Sequence, residues 1–289
     1  MTRTEARPNT KRQDDLISVI IAAYNEEDYI GACLEAVLAQ DAGAGPVEIV
    51  VAANACTDRT VEIAQGYRGQ IKDRGWQLQV LDIAQAGKVN ALNQGDGAAS
   101  GAALIYLDAD VICDPALLGQ LRGALLVDAP IYATGTLQVA RAKTWVTRRY
   151  ADLWTRLPFV KGGAVGAGLF SVNRAGRTRW GAFPDIISDD TFVRLQFRGT
   201  ERIEVPARYH WPMVEGFANL VRVRRRQDAG VDEIYRLYPD LQDNEEKQPL
   251  TRARLLGLAA RVPLGFAVYM LVHIAVRLRR PTRDWTRGR

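Results

Sequence analysis

Two aspartates one residue apart, Asp108-Ala109-Asp110, end a short apolar run. In extended backbone, residues two apart share a face, so both carboxylates point the same way and repel unless a cation joins them. Mg²⁺ and Mn²⁺ prefer oxygen ligands, and Mg²⁺ takes one or two carboxylates plus a substrate diphosphate. A strand-ending turn before Pro115 would use the same aspartates. A second acidic pair, Asp189-Asp190, follows Ser188. A carboxylate there can take the proton of an attacking hydroxyl, and acids also favour a helix N-terminus. The two roles are compatible, since a helix start fixes the base. Tyr24 could pack on a planar base, Asn54 and Asp58 could hydrogen-bond one, and Lys88 could approach a phosphate. The ordinary alternatives are helix caps at Asn25 and Asp58 and a surface lysine at 88.

The elements that must bring these groups together are legible as patterns. Apolar runs at 17–24, 47–53, 78–83 and 103–109 alternate with segments of helical spacing. Such alternation predicts βαβ units and a Rossmann-like, mainly parallel central sheet flanked by helices. Right-handed crossovers then set every strand's C-terminal end along one edge, where α/β sheets bind ligands. Further on, the pattern predicts a strand at 131–139, a helix at 143–157, a flexible glycine loop at 162–168 and a strand at 170–172. A helix at 188–197 capped by Ser188 follows, then an arginine-rich helix at 220–227 whose basic face is solvated. Residues 239–249 read as an acidic, turn-rich linker.

In order along residues 17–200 stand SVIIAAYNEE, VVAANACTDRT, GKVNALNQG, LDAD, GLFSVNR and ISDDTFVRLQFR. This ordered set resembles the inverting, GT-A fold glycosyltransferases of family 2. The resemblance implies a nucleotide-sugar donor, a divalent metal (Mg or Mn) and inversion at the anomeric carbon. It puts Tyr24, Asn25 and Glu26 at base and ribose, and Lys88 and Asn93 in a donor-binding helix. Asp108 and Asp110 match the metal- and diphosphate-binding Asp-x-Asp, and Asp190 the catalytic base. Two departures stand out. Ala53 occupies the place where that family often has a base-reading aspartate, which leaves the base open and Asn54 beside it. Gln227 is followed by Asp228, Ala229 and Gly230, without the tryptophan of processive synthases, so the resemblance implies a non-processive enzyme. Arg226 and its neighbours could lend a guanidinium to the diphosphate. His210 could be a further metal ligand or a packed side chain.

Composition bounds the remaining readings. The chain has 289 residues, 47% hydrophobic and 25% charged, close to the globular average. Three cysteines without short spacing exclude a disulfide framework and point to a reducing compartment. Residues 1–15 lack an apolar core, so a cytoplasmic location at the inner face of the cell membrane is expected. The net charge of +5 is concentrated at the end: residues 251–289 hold nine arginines and one aspartate. A nucleic-acid partner is thereby disfavoured. The predicted organisation is a flexible 1–15, a catalytic domain at 16–238, a linker at 239–250 and an apolar, arginine-flanked tail at 251–289. The tail is expected to attach to an anionic membrane surface, with a bilayer span or packing on the domain as alternatives. A lipid-linked or surface-glycan acceptor follows from the tail alone. The competing functions are a non-catalytic nucleotide-sugar-binding protein and a metal-dependent nucleotidyltransferase. The latter should carry a glycine- and arginine-rich loop where Tyr24-Asn25-Glu26 stands.

Overall fold

Strands β1 (Ile17–Ala23) and β2 (Val47–Asn54) are built almost wholly of β-branched and small apolar residues, and nearly all of these are buried. That is the signature of strands covered on both faces. In a computed structural model that describes residues 15–161, 163–246 and 250–278, β1 and β2 pair in parallel. They are joined in the same sense by β3 (Gln77–Ile83) and β4 (Ala103–Asp108). The crossovers contain α1 (Ile30–Leu38), α2 (Thr60–Gly66), α3 (Arg68–Asp73) and α4 (Lys88–Ala98). Alternation along β1 divides the core. Val19 and Ile21 meet Leu34 and Val37 of α1, with Leu118 and Leu121 of α5 (Leu117–Leu125), whereas Ile20 meets Leu92 of α4 and Leu104 of β4 on the other face.

The full sheet has the order β3-β2-β1-β4-β7-β6-β8-β5. Its second half comprises β5 (Ile112–Cys113), β6 (Tyr132–Val139), β7 (Leu169–Asn173) and β8 (Arg202–Trp211). Here β7 runs antiparallel to both β4 and β6, β6 and β8 are parallel, and β5 is antiparallel to β8. The expected mainly parallel sheet therefore holds for β1–β4, and the whole is mixed. Strands β5 and β8 were not apparent in the sequence. Pro206 interrupts the alternation of β8, and the β6–β8 pairing skips from Gly135↔Val205 to Thr136↔Arg208. Pro206 and Ala207 thus occupy a bulge, a position where a strand tolerates proline.

Helix α6 (Trp145–Trp154) begins at Thr144, whose hydroxyl accepts from Thr147 N. After the short α7 (Arg174–Arg177), α8 (Asp189–Leu195) starts at Ser188, whose side chain makes no capping hydrogen bond, contrary to expectation. The arginine-rich helix, α9, is longer than its pattern suggested, running over Phe217–Leu237. The segment expected to be a linker is partly ordered. Pro239–Asn244 forms a 3-10 helix, and Glu245 accepts a 2.7 Å ion pair from the buried Arg194. The apolar tail is two helices, α10 (Arg252–Arg261) and α11 (Pro263–Arg277), rather than one. Val262 breaks them at φ −138°, ψ 64°, because a residue before proline is pushed out of the helical region. Among the described residues no helix is long and apolar enough to cross a membrane. Helix α11 packs on the domain, with Val268 and Val272 joining Tyr150 and Leu153 of α6 and Leu220 of α9. Leu264, Leu271, Ile274 and Leu278 remain on its exposed side. The expected flexible residues 1–14, Gly162, the end of the linker and the terminal arginines beyond Leu278 lie outside the described residues.

Candidate active site

The C-terminal edge of the parallel strands is knit together by a buried amide. Asn54 donates from Nδ2 to Ala23 O at 2.9 Å and accepts at Oδ1 from Gly87 N at 2.9 Å. It joins the ends of β1 and β2 to the start of α4. Asn54, expected to meet a base, has both ends of its amide engaged with backbone and is only 3% exposed. Gly87 adopts φ +133°, a conformation open to glycine alone at little cost, which aims the next residue, Lys88, at the edge.

The loops after β1 and β2 bind one another. Asn25 Oδ1 accepts from Thr57 N at 2.7 Å, Glu26 N donates to Thr60 Oγ1 at 2.7 Å, and Asp58 Oδ2 accepts from Glu27 N at 3.2 Å. Asn25 and Ala55 both sit in left-handed backbone, at φ +51° and +48°. Although partial burial opposes it, donation from Thr60 and Glu27 holds the Asp58 carboxyl below its usual pKa. Asp58 thus staples two loops. Asn93, expected in the donor site, instead clamps Phe183 reciprocally: Nδ2 donates to its carbonyl at 3.1 Å, and Oδ1 accepts from its N–H at 2.7 Å.

Asp108, Asp189 and Asp190 converge. A cleft of about 180 Å³ is lined by Lys88, Asp108, Asp189, Asp190 and Trp211, with Arg226 and Gln227 closing it from α9. Tyr24, Asn25, Glu26 and Asp110 lie at the same strand ends but outside this lining. Gly168 forms part of the wall. Its carbonyl accepts from Asp108 N at 2.9 Å, and a Cβ there would stand 2.6 Å from the Trp211 ring. The Lys88 ammonium is 3.2 Å from Asp108 Oδ1 and 3.2 Å from Asp189 Oδ2. Burial opposes its charge, yet Asp108, Asp189 and Asp190 outweigh that and raise its pKa above the ordinary lysine value. For Asp190 the balance runs the other way. Burial and the neighbouring Asp189 push its carboxyl up to about 6, despite the opposing charge of Lys88 and a 2.7 Å hydrogen bond from Thr191 N.

Arg226 was expected on a solvated face, but its guanidinium is half-buried in the cleft, where Asp189, Asp190 and Asp108 counter the cost of burial. The other arginines of the run are engaged too. Arg224 reaches Asp228 at 2.8 Å, and Arg225 donates to the carbonyls of Ala275 and Val276. His210 Nε2 lies 3.0 Å from Asp114 Oδ1 and does not line the cleft. Among the described residues no group of three or more His, Cys, Asp or Glu side chains is placed to hold a metal. All three cysteines are free thiols, as expected.

A four-stranded parallel edge carrying an acidic cleft, continued by a mixed half-sheet, is the architecture of the GT-A-like α/β class. The sequence pattern described as "Glycosyl transferase family 2" matches residues 18–178, and the chain belongs to that family. It is 30% identical over 143 residues to the uncharacterized glycosyltransferase YibD of Escherichia coli (strain K12), a match covering 49% of this chain and 38% of that protein. The chain covers about a third of the length of the curated relatives it matches. Its fold is similar to that of the mannosyltransferase PcManGT from Pyrobaculum calidifontis in complex with GDP-Man and Mn²⁺, at TM-score 0.57 and 20% identity, covering 91% of this chain and 75% of that one. It is also similar to glucosyl-3-phosphoglycerate synthase from Mycobacterium tuberculosis in complex with Mn²⁺, UDP and phosphoglyceric acid, at TM-score 0.51 and 20% identity, covering 80% and 84%. At such identities the likeness is one of fold.

Proposed function

We propose that this chain is an inverting, metal-dependent glycosyltransferase that moves one sugar at a time from a nucleoside diphosphate donor to an acceptor hydroxyl. The observation that carries the reading is Asp190. Its pKa of about 6 suits a general base near neutral pH, and it shares a cleft with Asp108 and Lys88 at the strand ends. In this reading Asp190 takes the acceptor's proton as the hydroxyl attacks the anomeric carbon from the side opposite the leaving diphosphate. Lys88 keeps enough positive charge beside the base for it to be ionised at neutral pH. Arg226 is set to meet the diphosphate from α9.

The carboxylates of Asp108 and Asp110 suit a divalent cation that arrives with its donor. Two carboxylates are the complement Mg²⁺ uses when a diphosphate supplies further oxygens. A cation held there would supply electrostatic stabilisation of the departing diphosphate. Mn²⁺ accompanies a nucleotide or nucleotide sugar in both similar folds. The acceptor we infer is lipid-linked or a surface glycan, met at the inner membrane face. The exposed leucines of α10 and α11, flanked by Arg252, Arg254, Arg261 and Arg277, support contact with an anionic bilayer.

Calorimetric titration of UDP-, GDP- and dTDP-sugars with and without Mn²⁺ tests the donor half of the reading. One donor should bind only with metal, and Asp110→Asn should remove that binding. Asp190→Asn should keep donor affinity and lose transfer. A folded wild type that binds no sugar nucleotide would overturn the proposal.

A further inference from the structure

A second, larger cleft of about 690 Å³ opens between the end of β6 and helix α6. Its volume falls in the range of ligand sites, roughly 300–1,000 Å³. Five cationic side chains line it, Arg141, Arg148, Arg149, Arg156 and Lys161, against the two acids Asp152 and Glu204. The two acids offset part of that charge and leave a positive excess of three. Asp152 pairs with Arg149 at 2.9 Å, and Glu204 accepts from Ala164 N at 3.3 Å. Arg148 donates to the carbonyls of Ala142 and Lys143 at 3.1 and 2.7 Å, and Arg156 to that of Asp152. Neutral carbonyls orient these guanidinium groups and leave their charge in place.

The position is as telling as the charge. Val139, on this cleft's wall, pairs across the sheet with Trp211, on the wall of the acidic cleft. Trp211 also stacks on Trp154 of α6 with ring centroids 5.8 Å apart. An aromatic partition therefore separates the two clefts. Helix α6 presents Arg148, Arg149 and Asp152 to the basic cleft while Tyr150 and Leu153 meet α11.

We propose that this cleft is an anion subsite that holds a phosphate group carried by the acceptor while the acceptor's hydroxyl reaches Asp190 past the Trp154–Trp211 partition. The inference rests on the glycosyl-transfer reading for what the phosphate belongs to, but not for its binding. Arginine forks match phosphate oxygens two at a time, and a single carboxylate ligand would leave most of the excess of three positive charges uncompensated. The phosphate can come from a soluble ester or be presented at a lipid surface next to α11.

The test compares the full chain with Arg141→Gln/Arg156→Gln/Lys161→Gln, three exposed positions outside the acidic cleft. Glycerol phosphate and short-chain (dihexanoyl) phosphatidic acid, both as monomers in solution, are titrated calorimetrically, so that contact of α11 with a bilayer does not contribute. Wild type should bind at least one probe, and the triple variant should bind it roughly tenfold or more weakly. Binding of the soluble ester assigns a soluble source, and binding of the short-chain phosphatidic acid alone assigns a lipid source. Absence of binding to both probes, or unchanged binding by a folded triple variant, would overturn the proposal. Sugar-nucleotide titration of the same two proteins separates the readings. It should be unaffected by the triple substitution, and its failure alongside intact phosphate binding would sink the transfer reading and spare this site.

Discussion

Replacing Lys88 with methionine removes the one cation that touches two of the three cleft aspartates while keeping an apolar stem of similar length. Nζ stands 3.2 Å from a carboxylate oxygen of both Asp108 and Asp189. At an effective dielectric of about 20, each contact corresponds to about 5 kcal/mol of attraction. The Lys88 side chain is 35% exposed, so water screens much of that. What Asp190 feels is smaller again, because Lys88 is one of several groups acting on it. An opposite charge in such a site lowers a carboxyl pKa by roughly one to three units, and with this screening a rise of about one to two is expected on its removal. The sign is fixed: the base must be ionised to act, its pKa is already raised to about 6, and losing a positive neighbour raises it further. The rising limb of kcat/KM against pH should then move from near 6 to about 7 or 8. The assay is release of free nucleoside diphosphate from the donor identified by calorimetry, at pH 5 to 9, with circular dichroism to show the fold intact. A limb that stays in place while the rate falls would refute the coupling and with it the assignment of Asp190 as the base.

Asp190→Asn should lower turnover by about 10²–10⁴-fold, the contribution of a positioned base, with little change in sugar-nucleotide affinity by calorimetry. Asn54→Ala strips partners from Ala23 O and Gly87 N and should cost about 1–3 kcal/mol in urea unfolding, with weaker donor binding as the strand ends loosen. Ala55→Gly relieves a left-handed backbone at φ +48° and should raise stability by about 1 kcal/mol. Leu264→Ser/Leu271→Ser/Ile274→Ser should abolish sedimentation with anionic vesicles while leaving the urea midpoint nearly unchanged, since all three side chains face outward. Persistent sedimentation would sink the membrane contact.

The parallel half of the fold was legible because β1, β2 and β4 are buried on both faces and carry little besides aliphatic side chains. Asp108, Lys88 and Asp190 were legible for a related reason: each sits at or just beyond the end of a patterned element, where side chains must converge. Strand β8 was not, since a bulge hides its alternation behind Pro206. Arg226 lay in a run of similar residues, and only the seating of α9 at the acidic cleft separates it from Arg224 and Arg225. The true partners of Asn54 and Asn93 are backbone groups 31 to 90 residues away, and local spacing says nothing about contacts of that kind. The tail was legible as an apolar stretch, but its division into two helices at Val262 depends on Pro263.

The seating of α11 on α6 and α9 also constrains how the protein is made. The apolar faces of Tyr150, Leu153 and Leu220 find their cover in Val268 and Val272, which leave the ribosome more than a hundred residues after α6. At ~5–20 residues per second this is a delay of roughly 6–24 s, during which the parallel half can be complete while the face of α6 that α11 covers stands open. A nascent chain stalled before residue 263 should therefore leave α6 uncovered, open to protease and to a holdase. The released full chain should do neither.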